Sequence, residues 1–134
     1  MQPFETARVD GAPAVVAPDG AAVFPLLDLT GQGSFAVFEL APGDVTRAVS
    51  HATVQELWFV TEGRGELWRR QDDREETVAL APGTAASIPL GTAFQFRADE
   101  DAEGPLRIVA VTMPPWPGTD SEARPEKGRW DATA

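Results

Sequence analysis

The sequence predicts an all-β domain, a sandwich or barrel of many short strands. Three observations carry that reading. Apolar or alternating runs recur from residue 21 to residue 113. Gly, Pro or Asp interrupts them at roughly 8–12-residue spacing. No stretch holds the helical period of apolar positions.

In order, residues 21–27 follow the turn Pro18-Asp19-Gly20, and residues 34–40 run into Pro42-Gly43. Residues 56–60 and 65–70 flank Glu62-Gly63. Gly63 and Gly65 mark a hairpin rather than a phosphate loop, because no helix follows. Residues 75–80 stop at Pro82-Gly83, residues 93–98 begin after Leu90-Gly91, and residues 106–113 close the set. Several runs alternate, and the others are apolar throughout, as strands buried on both faces are. Asp99-Glu100-Asp101 with Glu103 reads as a solvated loop between the last two strands. Beyond Met113, Pro114-Pro115-Trp116-Pro117-Gly118 cannot sustain a sheet ladder. Trp116 is expected to plug the fold or a subunit contact, or to lid a cavity. Residues 1–118 are read as a single domain and residues 119–134 as a polar tail. Trp130 is that tail's only large apolar side chain. The tail is expected to be mobile or packed through that ring, with mobility favoured.

Composition narrows the chemistry. A chain of 134 residues with 43% hydrophobic content builds one core. With no Cys there is no disulfide, no Cys-ligated metal and no thiolate nucleophile. One His excludes any site needing two imidazoles from one chain, and the absence of Tyr excludes a tyrosine acid. A net charge of −10 is the wrong sign for nucleic acid. No apolar stretch reaches the ~18 residues of a membrane span. Met1-Gln2-Pro3-Phe4-Glu5 lacks the pattern of a secretory signal, so a cytoplasmic location is expected.

The informative segment runs from Gly43 through Val49, His51 and Glu56 to Gly63. It resembles the first motif of the cupin family, G-x5-H-x-H-x3–4-E-x6-G, with Val49 at the first histidine position. Gly83, Pro89 and Gly91 resemble the second motif, G-x5-P-x-G-x2-H-x3-N, with Phe94 and Ala98 at its histidine and asparagine positions. The motifs and their strands cover about residues 20–113. The resemblance implies a jelly-roll barrel, the double-stranded β-helix. It also implies a broken metal site, since the family's ligand set would need imidazoles where Val49 and Phe94 stand. Catalytic zinc usually takes three protein ligands. Gln55 alternates away from the Glu56 face and Asp44 is the other nearby donor, so no metal and no cofactor is expected.

Strand alternation puts Val49 and His51 on one face, Glu56, Trp58 and Val60 on one face of the next strand, and Phe94 and Phe96 on one face of a later one. If the family's geometry holds, these faces line an apolar, aromatic cavity with one imidazole and one carboxylate. The expected catalytic pair is His51 and Glu56, the carboxylate holding one ring nitrogen while the other acts as general base or acid. Val49, Trp58, Val60, Phe94 and Phe96 would bind the substrate, and Arg47, alternating onto the same face, would meet a carboxylate or phosphate near the mouth. The expected activity is metal-independent proton transfer on a largely apolar or aromatic metabolite: isomerisation, cyclisation or dehydration. Small cupins of bacterial secondary metabolism, such as polyketide cyclases, are the nearest analogy. The alternatives are a non-catalytic metabolite-binding cupin and a cupin with a non-standard metal site. The resemblance, with the apolar pairs Leu57/Phe59 and Val109/Val111 opposite the cavity, implies a homodimer. A small molecule is the expected partner, with neither nucleic acid nor membrane.

Overall fold

Runs too short to be helices and too apolar to lie on the surface pair into two antiparallel sheets in the computed structural model, which describes residues 1–134. The first sheet has the order β1 (Val15–Val16), β2 (Ala22–Leu29), β3 (Gly33–Leu40), β10 (Leu106–Met113), β5 (Gln55–Glu62), β8 (Ala85–Ile88). The second has β11 (Ala123–Pro125), β4 (Val49–His51), β9 (Ala93–Ala98), β6 (Gly65–Gln71), β7 (Arg74–Leu80). The expected jelly roll is present. The only helical segment is a 3-10 turn at Asp120–Glu122, and no helix is long and apolar enough to cross a membrane.

Period-two alternation sets which side chains face inward. Along β5, Glu56, Trp58 and Val60 are buried while Leu57 and Phe59 are exposed. β10 lies between β3 and β5, pairing Ala110 with Ala36 on one side and Trp58 on the other. The small residues there leave room for the indole. Trp58 meets Phe38, Phe94 and Phe96 edge-on, with ring centroids 5.8, 5.8 and 5.0 Å apart, a favoured aromatic geometry. This cluster, with Leu67, Val60 and Ile108, fills the middle of the barrel.

The seven long strands follow the sequence reading to within about two residues at each end. The strands outside those seven runs are β1, β4, β8 and β11, each of two to four residues.

The tail is packed, which corrects the expectation of mobility. β11 pairs with β4, setting Ala123 opposite His51. Trp130 packs against Ala48, Trp68 and Ala93, and Arg97 stacks over its ring at 4.3 Å. The physical reason is Gln95, buried on β9. Its Nε2 donates to Thr46 O and Trp130 O, both at 2.8 Å, and its Oε1 accepts from Arg129 N and Trp130 N at 2.9 and 3.0 Å. A buried amide needs such partners, and three of the four come from the tail. Gly128 permits the approach, since a Cβ there would collide with Gln95 and Ala48.

Candidate functional site

His51 ends β4 and Glu56 lies just inside β5, so the intervening turn folds one against the other. His51 Nε2 and Glu56 Oε2 are 2.7 Å apart. Trp58 Nε1 donates to the other Glu56 oxygen at 3.3 Å. His51 Nδ1 is buried without a hydrogen-bond partner and faces Glu122 Oε1 at 3.7 Å. Glu122 is itself buried, accepting from Thr53 N and Val54 N at 2.8 and 3.0 Å and from Thr53 Oγ1 at 2.7 Å.

Burial alone would lower the His51 pKa, but the hydrogen bond to Glu56 and the charges of Glu56, Glu122 and Asp19 carry it above its usual value. The carboxylates around the ring therefore favour its protonated form. Burial also opposes ionisation of Glu122, but the donors from Thr53 and Val54 and the His51 charge outweigh it and set the pKa below the usual value. Asp19 is the opposite case. Burial pushes it up to about 6 against the Ala21 N–H bond, with the Glu56 charge adding to the rise and His51 and Arg47 opposing it.

These groups stand at one end of the barrel interior, around a cavity of about 40 Å³. Val49, Phe94, Phe38 and Trp116 supply apolar wall, and His51, Glu56 and Asp19 form its polar end. Ser34 and Thr112 face it as well, their hydroxyls bonded to each other and each accepting from Trp116 N, at 3.0 and 3.1 Å. That volume holds about one water, whereas ligand cavities run to roughly 300–1,000 Å³. A larger hollow of about 280 Å³ beside Arg69, Arg70 and Arg74 is a surface groove with no hydrophobic residue in its lining.

Of the expected site residues, the structure brings His51, Glu56, Val49 and Phe94 to the cavity wall. Trp58, Val60 and Phe96 share the interior face but lie in the packed core, because the edge-to-face aromatic cluster fills the space beside them. Arg47 is exposed and outside the cavity lining, beside two residues that form it: its guanidinium donates to Pro18 O at 3.1 Å, and its backbone N to Asp19 O at 2.8 Å. The residue skips off the inner face because the regular strand begins only at Val49. Gln55 points outward as anticipated, exposed and accepting from Leu90 N.

Sequence reasoning missed Asp19, Glu122 and Ala123. Asp19 reads as part of a Pro-Asp-Gly turn, and Glu122 as one acid in a polar tail. Neither carries a local signal of its tertiary position.

The metal expected of the fold's ligand positions does not fit these residues. Val49 and Phe94 offer no donor atom, and no group of three His, Asp or Glu side chains is arranged to hold an ion. Glu56 instead receives His51 and Trp58.

Residues 36–112 match the family model described as a cupin domain. No curated protein matches the chain. Among solved structures, Streptomyces Pac13 with uridine superposes with a TM-score of 0.70 at 10% identity, over 94% of this chain and 93% of that one. Pac13 is described as a nucleoside dehydratase. KdgF from Halomonas sp. gives 0.69 at 17% identity over 84% and 94% of the two chains. CapF, bound to 3-isopropenyl-tropolone, gives 0.63 at 17% identity over 75% of this chain, which spans only 29% of CapF. Identities this low show a shared fold and no more.

Proposed function

The chain belongs to the cupin family, and on that premise we propose that it is a metal-independent enzyme moving protons on a small, largely apolar or aromatic metabolite, by isomerisation, cyclisation or dehydration. The observation that carries this reading is the buried His51–Glu56 pair at the polar end of an apolar cavity. Glu56, fixed by the Trp58 N–H, holds the imidazole in one orientation, and the proton shared by His51 Nε2 and Glu56 is the one the pair would pass to a leaving oxygen or an enolate. Aromatic walls exclude water from the transfer. The likeness to a nucleoside dehydratase supports dehydration among the three reactions, as fold-level analogy. A metabolite needs more than 40 Å³, so we place the moving wall at Trp116, half-buried on irregular chain. We also propose a homodimer through the outer face of the first sheet, where Leu57 and Phe59 stand exposed.

The test is isotope exchange. The full chain is incubated in heavy water with a panel of aromatic ketones, hydroxylated aromatics and nucleosides including uridine, and each compound is weighed by mass spectrometry. Deuterium uptake or loss of water by one member is expected, falling about a hundredfold or more in His51→Ala, with little change in its affinity when measured below that variant's Tm, which loss of the buried pair lowers. A second reading, a cupin that binds a metabolite without converting it, is favoured by the two carboxylates already facing the ring nitrogens of His51. Saturable binding without exchange or conversion across the panel would establish it and overturn catalysis.

A further inference from the structure

The polar groups around the cavity are nearly all committed to one another. Both Glu56 oxygens accept hydrogen bonds, His51 Nδ1 is buried against Glu122, and the Ser34 and Thr112 hydroxyls hold each other and Trp116 N. Asp19 differs. Its Oδ1 accepts from Ala21 N at 3.0 Å, while Oδ2 has no hydrogen-bond partner in the protein and no salt bridge reaches it. The turn that carries it is rigid: Ala17 N donates to Ala21 O, Gly20 N to Ala17 O and Arg47 N to Asp19 O, at 2.9, 2.8 and 2.8 Å. Gly20, at φ +99°, supplies the backbone that this turn requires.

The charges facing this end also set a sign. Asp19 comes from the turn before β2, Glu56 from β5 and Glu122 from the tail, all around the single His51 imidazole. The nearest guanidinium, Arg47, lies outside the cavity lining and donates to Pro18 O. An anion entering here would meet the carboxylates of Asp19 and Glu56 in the lining, with the Arg47 cation outside it. A hydroxyl or ammonium would find the one uncommitted acceptor.

We infer that Asp19 Oδ2 receives the ligand's hydrogen-bond donor, a hydroxyl or ammonium group on an apolar or aromatic body, and that the cavity turns away carboxylates and phosphates. This rests on reading the cavity as a ligand site and is independent of whether the ligand is converted. It reverses the expectation that Arg47 would recruit an acidic group.

Three probes of one size test it: benzyl alcohol, benzylammonium and benzoate. The full chain carries nitrogen-15 in its only histidine, so every imidazole signal reports His51. At a pH above the Asp19 titration, the alcohol and the ammonium are expected to shift those signals saturably, with benzoate about tenfold weaker or worse. Asp19→Asn keeps an oxygen for Ala21 N and removes the charge, so the benzoate gap is expected to narrow to about threefold or less. Asp19→Ala removes the acceptor and is expected to weaken the alcohol about fivefold or more. Should the alanine variant not fold, the asparagine variant decides alone. Equal binding of benzoate by the natural chain, unchanged charge ranking in Asp19→Asn, unchanged alcohol affinity in a folded Asp19→Ala, or no saturable shift from either donor would overturn the assignment. Failure of isotope exchange with this ranking intact removes catalysis and leaves the role of Asp19 standing.

Discussion

Two regions of the molecule each deliver a buried carboxylate to the same imidazole. The barrel supplies Glu56 from the strand after His51, 2.7 Å from Nε2 and five positions on in the chain. The C-terminal strap supplies Glu122, 3.7 Å from Nδ1 and separated from His51 by most of the fold. Glu56 makes a direct bond to the ring. Glu122 spends its oxygens on Thr53 and Val54 and reaches His51 through space. The difference separates two jobs: one carboxylate orients the imidazole, and the other closes the loop that carries it while biasing its charge.

The largest effect should come from removing the strap altogether. Ending the chain after Gly118 takes away β11, Glu122 and three of the four partners of Gln95. Each buried polar group left without a partner costs about 1–3 kcal/mol. The expected loss is about 5 kcal/mol or more, enough to unfold a domain of ordinary stability, and urea denaturation measures it. A truncated chain as stable as the full one would reduce the strap to an ornament of the barrel.

Smaller and more informative are the point substitutions. Glu56→Gln breaks a buried charged pair, a change worth about 3 kcal/mol, and should lower the His51 pKa by removing both its hydrogen bond and its strongest opposing charge. Glu122→Gln keeps side-chain oxygen for one or both backbone donors, so about 1–2 kcal/mol is expected, with a lesser fall in the His51 pKa. Nitrogen-15 titration of the single histidine reads both shifts, and the order Glu56 above Glu122 is the claim. Equal shifts would mean that the orienting and closing roles are not separate.

How much of this was legible beforehand follows from the same contrast. Glu56 was readable because period-two alternation groups it with Trp58 and Val60, and because its spacing from His51 resembles the first cupin motif, which implies that this face turns inward. The inward set Val49, Trp58, Val60, Phe94 and Phe96 was readable for the same reason. Alternation gives the face of a strand but not its depth, so it could not tell Phe94 at the cavity wall from Phe96 in the packed core. Arg47 stands two residues before a three-residue strand, so alternation does not hold it on the inner face. Asp19 and Glu122 arrive through a turn and a tail whose positions depend on long-range contacts. Gln95 gave no warning of the packed tail, because alternation with Phe94 and Phe96 puts it on the outer face of its strand, where an amide is ordinary until the tail covers it.

The smallest effect is a division of labour in pH. His51 has a raised pKa when folded, so its stabilisation is complete below the unfolded value near 6.5 and fades as pH rises through the higher folded value. Asp19 acts in the same direction over a lower window: the folded state holds its proton from 3.8 to about 6 while the unfolded chain releases it, so stability falls across that range. Glu122 has a lowered pKa, so its contribution is present above its unfolded value near 4.5 and is lost as pH falls through the folded value below it. Denaturation measured across pH should therefore show Glu122→Gln flattening the acid limb and Glu56→Gln flattening the limb above 6.5. Asp19→Asn should flatten the window between those limbs. If Glu122→Gln altered only the upper limb, its charge would act on His51 alone and its bonds to Thr53 and Val54 would contribute nothing to folding, which would collapse the two carboxylates into one role.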